Sequence, residues 1–190
     1  LNMQINFKKT VLLLASIMLS ATFTLAQNYP GYTLVWSDEF NGGYSNADPT
    51  TGLDLDSWNF ETGTGNGGWG TGQRDYSTTD RENVEVSDGT LKIRTQRHHA
   101  NQPTHEYTSG RINSKGKVSA RYGRMEARIK LPAGAQGQFP AFWMMGQNID
   151  AVGWPRCGEI DIMEQMCNNN VTSYRRTMST LHWNANGSFA

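Results

Sequence analysis

The sequence predicts an all-β domain, a sandwich or barrel of short strands, and three observations carry this prediction. Glycine is abundant, with 20 residues among 190. Apolar and polar side chains alternate with a period of two in several short runs. The six Trp and seven Tyr are typical of half-buried strands. No long run with a helical period follows residue 26, so a helical fold is excluded.

The predicted strands follow one another along the chain and are separated by turn residues. In chain order they span residues 32–36, 83–89, 90–95, 109–113, 123–131, 139–145, 159–164 and 179–183. The Asp88-Gly89 pair predicts a hairpin between the second and third of them. Residues 42–80 are predicted to be mostly loop, and the glycine-rich stretch 63–72 within them contains Trp69. No helix pattern or Lys-Ser/Thr pair follows these glycines, so a mobile loop with Trp69 on a cleft wall is favoured over a phosphate site.

Residues 1–26 have the pattern of a secretory signal peptide. From Met3, the predicted start, Lys8 and Lys9 precede an apolar run, and small residues end it at Ala26. A membrane span requires a longer apolar run of about 20 residues. We therefore expect export with cleavage after Ala26 and an extracellular or periplasmic location. A lipid-anchored surface form is the alternative.

Residues 27–190 have the length of one domain. The 17 basic and 17 acidic residues give a net charge of zero and form no basic run. This balance disfavours nucleic acid and anionic membranes as partners. We expect no nucleic-acid partner, no membrane association after cleavage, and a monomer.

The stretch 158–165, GEIDIMEQ, contains three carboxylates among apolar side chains. Glu159 and Asp161 alternate with isoleucine as in a half-buried strand, but the third acid is at Glu164 rather than at position 163. A β-bulge, which adds one residue to a strand, would return all three acids to one face. The same bulge would put Cys157 and Cys167 on opposite faces, so we expect no disulfide between them.

Two carboxylates on one face can cleave a glycosidic bond when one is ionised and the other is protonated. The Cα atoms of Glu159 and Glu164 should be about 13 Å apart along the strand, and two long side chains could close this distance to about 5.5 Å. Because three neighbouring acids repel, at least one pKa must rise, which supplies a proton donor. A solvated row of acids and a calcium site are the alternatives.

The chain resembles glycoside hydrolase family 16, and within it the laminarinase-type endo-β-1,3-glucanases. The motifs that carry the resemblance are LVWSDEFNG at 34–42, NVEVSDGTLKI at 83–93, SGRINSKGK at 109–117, YGRMEARIKLP at 122–132, FPAFWMMG at 139–146 and GWPRCGEIDIMEQ at 153–165. The resemblance implies a concanavalin A-like jelly-roll sandwich of two antiparallel sheets with an open cleft. It also implies that the C-terminal strands of the domain are missing here.

The family's catalytic roles transfer to the acidic motif. The resemblance implies that Glu159 is the nucleophile, Glu164 the acid/base and Asp161 the residue that orients the nucleophile, in a retaining double displacement. Met163 would be the inserted residue of the bulged subgroup. No cofactor is implied as a requirement and no catalytic metal. Some family members hold a structural calcium, and the resemblance places the corresponding position near Glu39 and Gly89.

The predicted substrate contacts are two aromatic side chains that would stack on sugars and three polar ones: Trp143, Trp154, Arg111, Asn83 and His182. Strand parity predicts that Trp143, not its neighbour Phe142, faces the cleft. Arg111 is equally compatible with a structural ion pair. His182 is as compatible with a satisfied core position as with the cleft.

The resemblance has departures that keep alternatives open. Phe139 stands where laminarinases more often have Trp, and GWGTGQRDY at 68–76 departs from the usual Asn-Glu run. Mixed-linkage β-glucan, agarose and carrageenan therefore remain alternative substrates to β-1,3-glucan. A non-catalytic β-glucan-binding protein on the same fold is a further alternative.

Overall fold

The computed structural model of the protein describes residues 29–97, 100–168, 170–185 and 188–189. The predicted signal peptide, residues 1–26, lies outside the described residues. The chain divides into two compact units, Leu1–Val35 and Trp36–Ala190. In the described part of the first unit, the backbone N–H of Tyr32 donates to the carbonyl of Tyr29 and closes a turn. None of the helices in the described ranges is long and apolar enough to span a membrane.

The second unit is built from short strands, as the sequence predicts. The strands are β1 (Asn59–Phe60), β2 (Asp75–Ser77), β3 (Val84–Ser87), β4 (Thr90–Ile93), β5 (Gln96–Arg97), β6 (Tyr107–Ser109), β7 (Ile112–Asn113), β8 (Ala141–Met145), β9 (Glu159–Glu164), β10 (Met178–His182), β11 (Asn184–Ala185) and β12 (Ser188–Phe189). One turn of α-helix, α1 (Ile149–Val152), precedes β9, and a 3₁₀ segment, Val171–Arg175, precedes β10.

The strands of the described residues pair in five small sheets. One of the two three-stranded sheets has the order β10-β9-β8 and is antiparallel throughout. Antiparallel pairs also join β1 with β7, β3 with β4, β5 with β6, and β11 with β12. The pair β2–β6 is parallel, so the described pairings are antiparallel with this one exception.

The β3–β4 hairpin confirms the prediction made from the Asp-Gly pair. Ser87 is opposite Thr90 in the register, so Asp88 and Gly89 form a two-residue loop. Their φ angles are 54° and 67°. A tight hairpin whose twist matches the flanking strands requires positive φ at both loop positions, which Asp and Gly tolerate well.

Most of the fully buried side chains of the described residues lie beside this hairpin. Leu53 and Val84 are fully buried there. Buried polar side chains surround them, among them Thr51, which hydrogen-bonds to Asp48, and Asn83, which hydrogen-bonds to Thr78 and Arg94. Such groups are tolerated in an interior only when they are hydrogen-bonded. The β3–β4 region is therefore held together by polar contacts as well as by apolar packing.

Two predicted strands are absent from the structure, and these predictions were wrong. Residues 32–36 are exposed and form no strand, and residues 123–131 are largely exposed coil. The alternation in 123–131 is nevertheless real. Met125, Ile129 and Leu131 line an apolar pocket together with the side chains of β8 and β9 that point away from the acids. A period of two shows which side chains will pack against an apolar surface. A strand also requires a neighbouring strand that pairs with its backbone.

Candidate active site

The β-bulge predicted in the acidic motif is present in β9. Against β8, Asp161 is opposite Trp143, but the next paired residue is Met163, opposite Phe142. Against β10, Asp161 is opposite Thr180 and Glu164 is opposite Met178, so β9 again has one residue more than its neighbour. Two residues opposite one is the defining register of a bulge. The β8 register leaves Ile162 without a partner and the β10 register leaves both Ile162 and Met163 without one, so the extra residue lies in the pair that includes the predicted Met163.

The bulge brings the three acids to one face of the sheet. Glu164 is opposite Ala141 in β8, and Asp161 is opposite Trp143. Ala141 and Trp143 are two positions apart in a regular strand, so their side chains and those of their partners point the same way. Glu159, two residues before Asp161, shares that face. We call this surface of β8, β9 and β10 the carboxylate face.

Glu159 is held by an indole donor. The Nε1–H of Trp154 donates to its Oε2 at 2.6 Å. Trp154 lies just after Gly153, which ends α1 with a φ of 71°. Burial raises the pKa of Glu159 above its ordinary value of 4.5, and the charge of Asp161 acts in the same direction. The indole donor opposes this shift because it favours the ionised carboxylate.

Asp161 lies between the two glutamates and is nearly inaccessible, with 2% of its surface exposed. The Nε2 atom of His182, opposite Glu159 in the register, lies 3.0 Å from its Oδ2. This is within ion-pair distance, but the alignment falls short of a regular hydrogen bond. The contact is therefore electrostatic in character, and it ties β10 to the centre of the carboxylate face.

The ionised form of Glu164 receives a weaker hydrogen bond than that of Glu159. The hydroxyl of Thr180 donates to its Oε2 at 3.4 Å, a long hydrogen bond. Burial raises its pKa from 4.5, and the charge of Asp161 raises it further. A carboxyl group so placed keeps its proton to higher pH than a free glutamate, which suits a general acid.

The structure places the predicted substrate residues unequally. Trp143 is half-buried on the carboxylate face, as parity predicts. Trp154 is half-exposed and contacts both Glu159 and the ring of His182, whose centroid is 6.1 Å away. His182 is on the same face with a quarter of its side chain exposed. These three residues are brought together with the acids.

Asn83 does not lie on the carboxylate face. The prediction that it contacts a sugar is corrected, because its side chain is buried elsewhere. It has no exposed surface. Its side-chain oxygen accepts from the hydroxyl of Thr78 at 2.7 Å, and its amide donates to the carbonyl of Arg94 at 2.9 Å. Both ends of the amide are used inside the protein. Asn83 therefore joins the start of β3 to the end of β4.

Arg111 makes the ion pair that the sequence left open, and its partner is Glu61. Its Nε donates to Oε2 of Glu61 at 2.5 Å. Its guanidinium lies 4.5 Å from the ring centroid of Trp69 and 4.9 Å from that of Trp143. Sequence reasoning missed Glu61, because no local pattern links it to Arg111. Thr180 was missed for the same reason.

Metal ligands are sparse in the described part of the chain. No group of three or more His, Cys, Asp or Glu side chains is placed there to hold a metal ion. Cys157 and Cys167 are both free thiols, which confirms the prediction of no disulfide.

Replacement of Trp154 by phenylalanine should move the acidic limb of the pH–activity profile to higher pH. The ring is kept but the N–H that favours ionised Glu159 is lost, so the pKa of Glu159 rises further. The measurement is kcat/KM against pH, which reports the ionisations of the free enzyme. Trp143→Phe is the matched control, and an equal shift in both variants would contradict the assigned role of the indole N–H.

Replacement of Glu159 by glutamine should raise the melting temperature at neutral pH. The pKa of Glu159 is raised in the folded protein, so its ionised form costs stability above that pKa and costs nothing below the ordinary value of 4.5. The gain should therefore shrink as the pH falls towards 4.5. Thermal melts from pH 4 to pH 8 test this, since about 1 kcal/mol shifts the midpoint by a few degrees.

Glu85→Gln is the control with the opposite sign. Hydrogen bonds from Arg94 and Arg81 lower the pKa of Glu85 to about 2. Its contribution is present above the ordinary pKa and is lost as the pH falls through the lowered one. This variant should melt lower than the wild type at neutral pH. The same sign of change in both variants would contradict the electrostatic argument.

Several known proteins have similar sequences. The family model described as Glycosyl hydrolases family 16 matches residues 72–190. Glucan endo-1,3-beta-glucosidase A1 of Niallia circulans is 39% identical over 145 residues, which are 70% of this chain and 20% of that protein. A Beta-glucanase of Rhodothermus marinus is 42% identical over 141 residues, 72% of this chain and 45% of that protein.

A solved structure is also similar. The laminarinase catalytic domain of Thermotoga maritima superimposes with a TM-score of 0.67 at 39% identity, over 83% of this chain and 60% of that one. This similarity confirms the predicted all-β jelly-roll sandwich. The chain thus spans between a fifth and three fifths of the length of these three proteins.

Proposed function

The chain belongs to glycosyl hydrolase family 16, and on that premise we propose that the protein is a secreted, retaining endo-glycosidase that hydrolyses β-1,3-glucan of the laminarin type. The observation that carries the proposal is the bulged register of β9, which sets Glu159, Asp161 and Glu164 side by side on the carboxylate face. The similarity to endo-β-1,3-glucanases supports the choice of substrate.

The electrostatics support a division of labour between the two glutamates. Burial raises the pKa of both glutamates, but Glu159 also receives a short hydrogen bond from an indole N–H, which favours the ionised form that a nucleophile needs. Glu164 has only a long hydrogen bond from Thr180, while burial and Asp161 favour its protonated form. In the proposed reaction Glu159 attacks the anomeric carbon while Glu164 protonates the departing oxygen. Water then enters with Glu164 as base.

Asp161 acts on both partners in this scheme. Its charge raises the pKa of each glutamate, so it helps to keep a proton on Glu164. When Glu164 gives up its proton, Glu159 becomes an ester and loses its charge, so the net charge of the three acids stays the same. His182 lies 3.0 Å from Oδ2 of Asp161 and restricts the space open to this central carboxylate. Asp161 is therefore assigned an orienting and electrostatic role rather than a covalent one.

The proposal is tested by incubating the full-length protein with laminarin, mixed-linkage β-glucan, agarose and carrageenan. Reducing sugar from laminarin, with a ladder of oligosaccharides, supports an endo-β-1,3-glucanase. Release from one of the other polysaccharides alone would move the protein to that specificity. Depletion onto insoluble β-1,3-glucan without release would show a binding protein. The anomer that appears first, read by proton NMR, distinguishes retention from inversion.

A structural calcium remains a prediction. Asn41 lies against the hairpin turn, since a Cβ built on Gly89 would be 3.3 Å from its Oδ1. The segment that contains Glu39 is thus adjacent to Gly89, as the resemblance implies. Carboxylate, amide and carbonyl oxygens are the ligands that calcium takes. Glu39 and the side chain of Asn41 would supply part of such a site, whose role would be to secure the turn.

We also propose that the protein is exported and acts as a monomer. Export is supported by the signal-peptide pattern of residues 1–26, and a lipid-anchored surface form is the alternative. N-terminal sequencing of the protein recovered from the medium or periplasm would show whether it begins at Gln27. Sedimentation would give the assembly state.

A further inference from the structure

We propose that Ser179 is a positioning residue for Glu164, and that it acts by holding the carbonyl of Ile162 at the bulge of β9. This inference rests on the proposed function, in which Glu164 is the acid/base, and adds to it the residue that keeps this carboxylate in place. Nothing in the acidic motif itself points to Ser179, because Ser179 and Ile162 are separated by 17 residues in the sequence.

Ser179 is the residue of β10 that faces the bulge. The paired positions of β9 on either side of it are Glu164 and Asp161. Between these two pairs β10 has only Ser179, whereas β9 has both Ile162 and Met163. Two residues opposite one define a bulge. Ser179 is therefore the position in β10 from which a side chain can hold the bulge directly.

The hydroxyl of Ser179 supplies a donor to the backbone of the bulge. Its Oγ donates to the carbonyl oxygen of Ile162 at 2.8 Å, a normal length for a hydroxyl donor. Ile162 has no partner in the register with β8 or in the register with β10. Because the extra residue of a bulge is left out of the regular ladder, its backbone groups need hydrogen-bond partners from elsewhere. Ser179 meets this need for one carbonyl.

Apolar packing holds the side chains of the same bulge. Ile162 and Met163 both line the apolar pocket, together with Phe142 and Ile129. Consecutive residues of a regular strand point to opposite faces, so this shared surrounding is a consequence of the bulge. The pocket holds the two side chains, and the hydroxyl of Ser179 holds the peptide group that joins them.

The position of Glu164 depends on this peptide group. Glu164 follows Met163 directly, and without the extra residue it would point to the opposite face, away from Asp161. A hydrogen bond to the peptide between Ile162 and Met163 therefore limits how far the carboxyl group of Glu164 can shift. The hydrogen bond that Glu164 itself accepts from Thr180 is long, at 3.4 Å, so the backbone must contribute to its position. A displacement of about 1 Å can lower a reaction rate about 100-fold.

Ser179 does not lie on the carboxylate face, so it should act through Glu164 rather than on the sugar. Met178 and Thr180, its neighbours in β10, are the partners of two acids of the carboxylate face. Side chains alternate between the two faces along a strand, which puts Ser179 on the other side of the sheet. The expected defect of a Ser179 variant is therefore in proton transfer by Glu164 and not in binding of the glucan.

Ser179→Ala is tested with two substrates that differ in their need for a proton. Departure of a glucan hydroxyl needs protonation by Glu164, so kcat on laminarin should fall by roughly 3- to 10-fold, the range of one hydrogen bond. An aryl β-glucoside whose phenol leaves readily needs no such proton, so the burst of phenol from its first step should stay within about twofold of the wild-type rate. Both rates come from one preparation, so their ratio does not depend on the fraction of the protein that is folded.

Ser179→Thr and Thr90→Val are the matched controls. Threonine keeps the hydroxyl group, so it should return the ratio of the two rates to the wild-type value. Thr90→Val removes another exposed hydroxyl donor, whose bond to the carbonyl of Ser87 in the β3–β4 hairpin is 3.0 Å long. This variant should leave the ratio unchanged, because the hairpin does not contain the bulge.

The outcomes separate this inference from the proposed function. An unchanged ratio in Ser179→Ala, whether both rates hold or both fall, would overturn the role of Ser179 and leave the hydrolase assignment intact. The same change of ratio in Thr90→Val, or no recovery in Ser179→Thr, would overturn it as well. If the wild type cleaves another of the tested polysaccharides instead of laminarin, the ratio is measured with that polysaccharide and the matching aryl glycoside. A wild type that cleaves no polysaccharide would overturn both proposals.

Discussion

Glu159→Ala should reduce kcat on laminarin by roughly 10⁴-fold or more, because the covalent route to the glycosyl intermediate is lost. The alanine also leaves a space on the carboxylate face next to the Trp154 indole N–H. A small anion such as azide can enter that space and attack the anomeric carbon in place of the carboxylate. The glycosyl–oxygen bond then breaks in a single displacement, and the leaving oxygen takes its proton from Glu164.

The stereochemistry of the rescued product tests the role of Glu159. One displacement inverts the anomeric centre, so an activated β-glucoside should give an α-glycosyl azide with this variant. Product analysis by proton NMR with and without azide gives the result. Glu85→Ala serves as the control, since Glu85 is bound to Arg81 and Arg94 away from the carboxylate face. Undiminished kcat in Glu159→Ala, or a β-glycosyl azide from it, would contradict the assignment.

Sequence alone was sufficient for the centre of the site because its pattern is local. Within the eight residues of GEIDIMEQ, acids and isoleucines alternate with a period of two, and the alternation is interrupted once. A β-bulge is the structure that such an interruption predicts. The hairpin at Asp88-Gly89 was predictable for the same reason, since its turn chemistry is contained in two residues. Local patterns need no knowledge of the distant chain.

The surroundings of the acids depend on contacts that no local pattern encodes. Arg111 and Glu61 are separated by 50 residues, and either could have paired elsewhere. Asn83 has a side-chain amide that is suited to binding sugar hydroxyls. In the interior, however, this amide is hydrogen-bonded at both ends, to the hydroxyl of Thr78 and to the carbonyl of Arg94. The prediction of a strand at residues 123–131 was wrong for the same reason, because a strand forms only where a neighbouring strand pairs with its backbone. The sequence identifies candidate groups, and only the fold decides which of them face each other.

Trp154 illustrates both situations in one residue. The sequence predicted an aromatic side chain at the edge of the cleft, and the structure places it half-exposed beside Glu159. The hydrogen bond of its N–H to the carboxylate was not predictable, since it depends on the turn that follows Gly153. Half of the residue surface remains exposed, so the same side chain can donate to Glu159 and still present apolar ring surface to solvent.

Glu164→Ala should show a loss that depends on the leaving group. Departure of a glucan hydroxyl needs a proton, so turnover of laminarin should fall by roughly 10²- to 10⁴-fold, the usual contribution of general acid catalysis. An aryl glucoside whose phenol leaves readily needs no such proton, and its first step should be nearly as fast as in the wild type. Deglycosylation, which lacks its base, then limits the rate and the intermediate on Glu159 accumulates.

Azide distinguishes the two glutamates at this point. In Glu164→Ala the anion needs no general base, so it should attack the accumulated intermediate and restore turnover of the aryl glucoside. Two displacements retain the configuration, and the product should be the β-glycosyl azide, the opposite anomer from that of Glu159→Ala. The alkaline limb of the wild-type pH profile should also disappear, because it reports loss of the proton whose pKa burial and Asp161 raise in Glu164. If both variants gave the same anomer, the two roles assigned on the carboxylate face would be untenable.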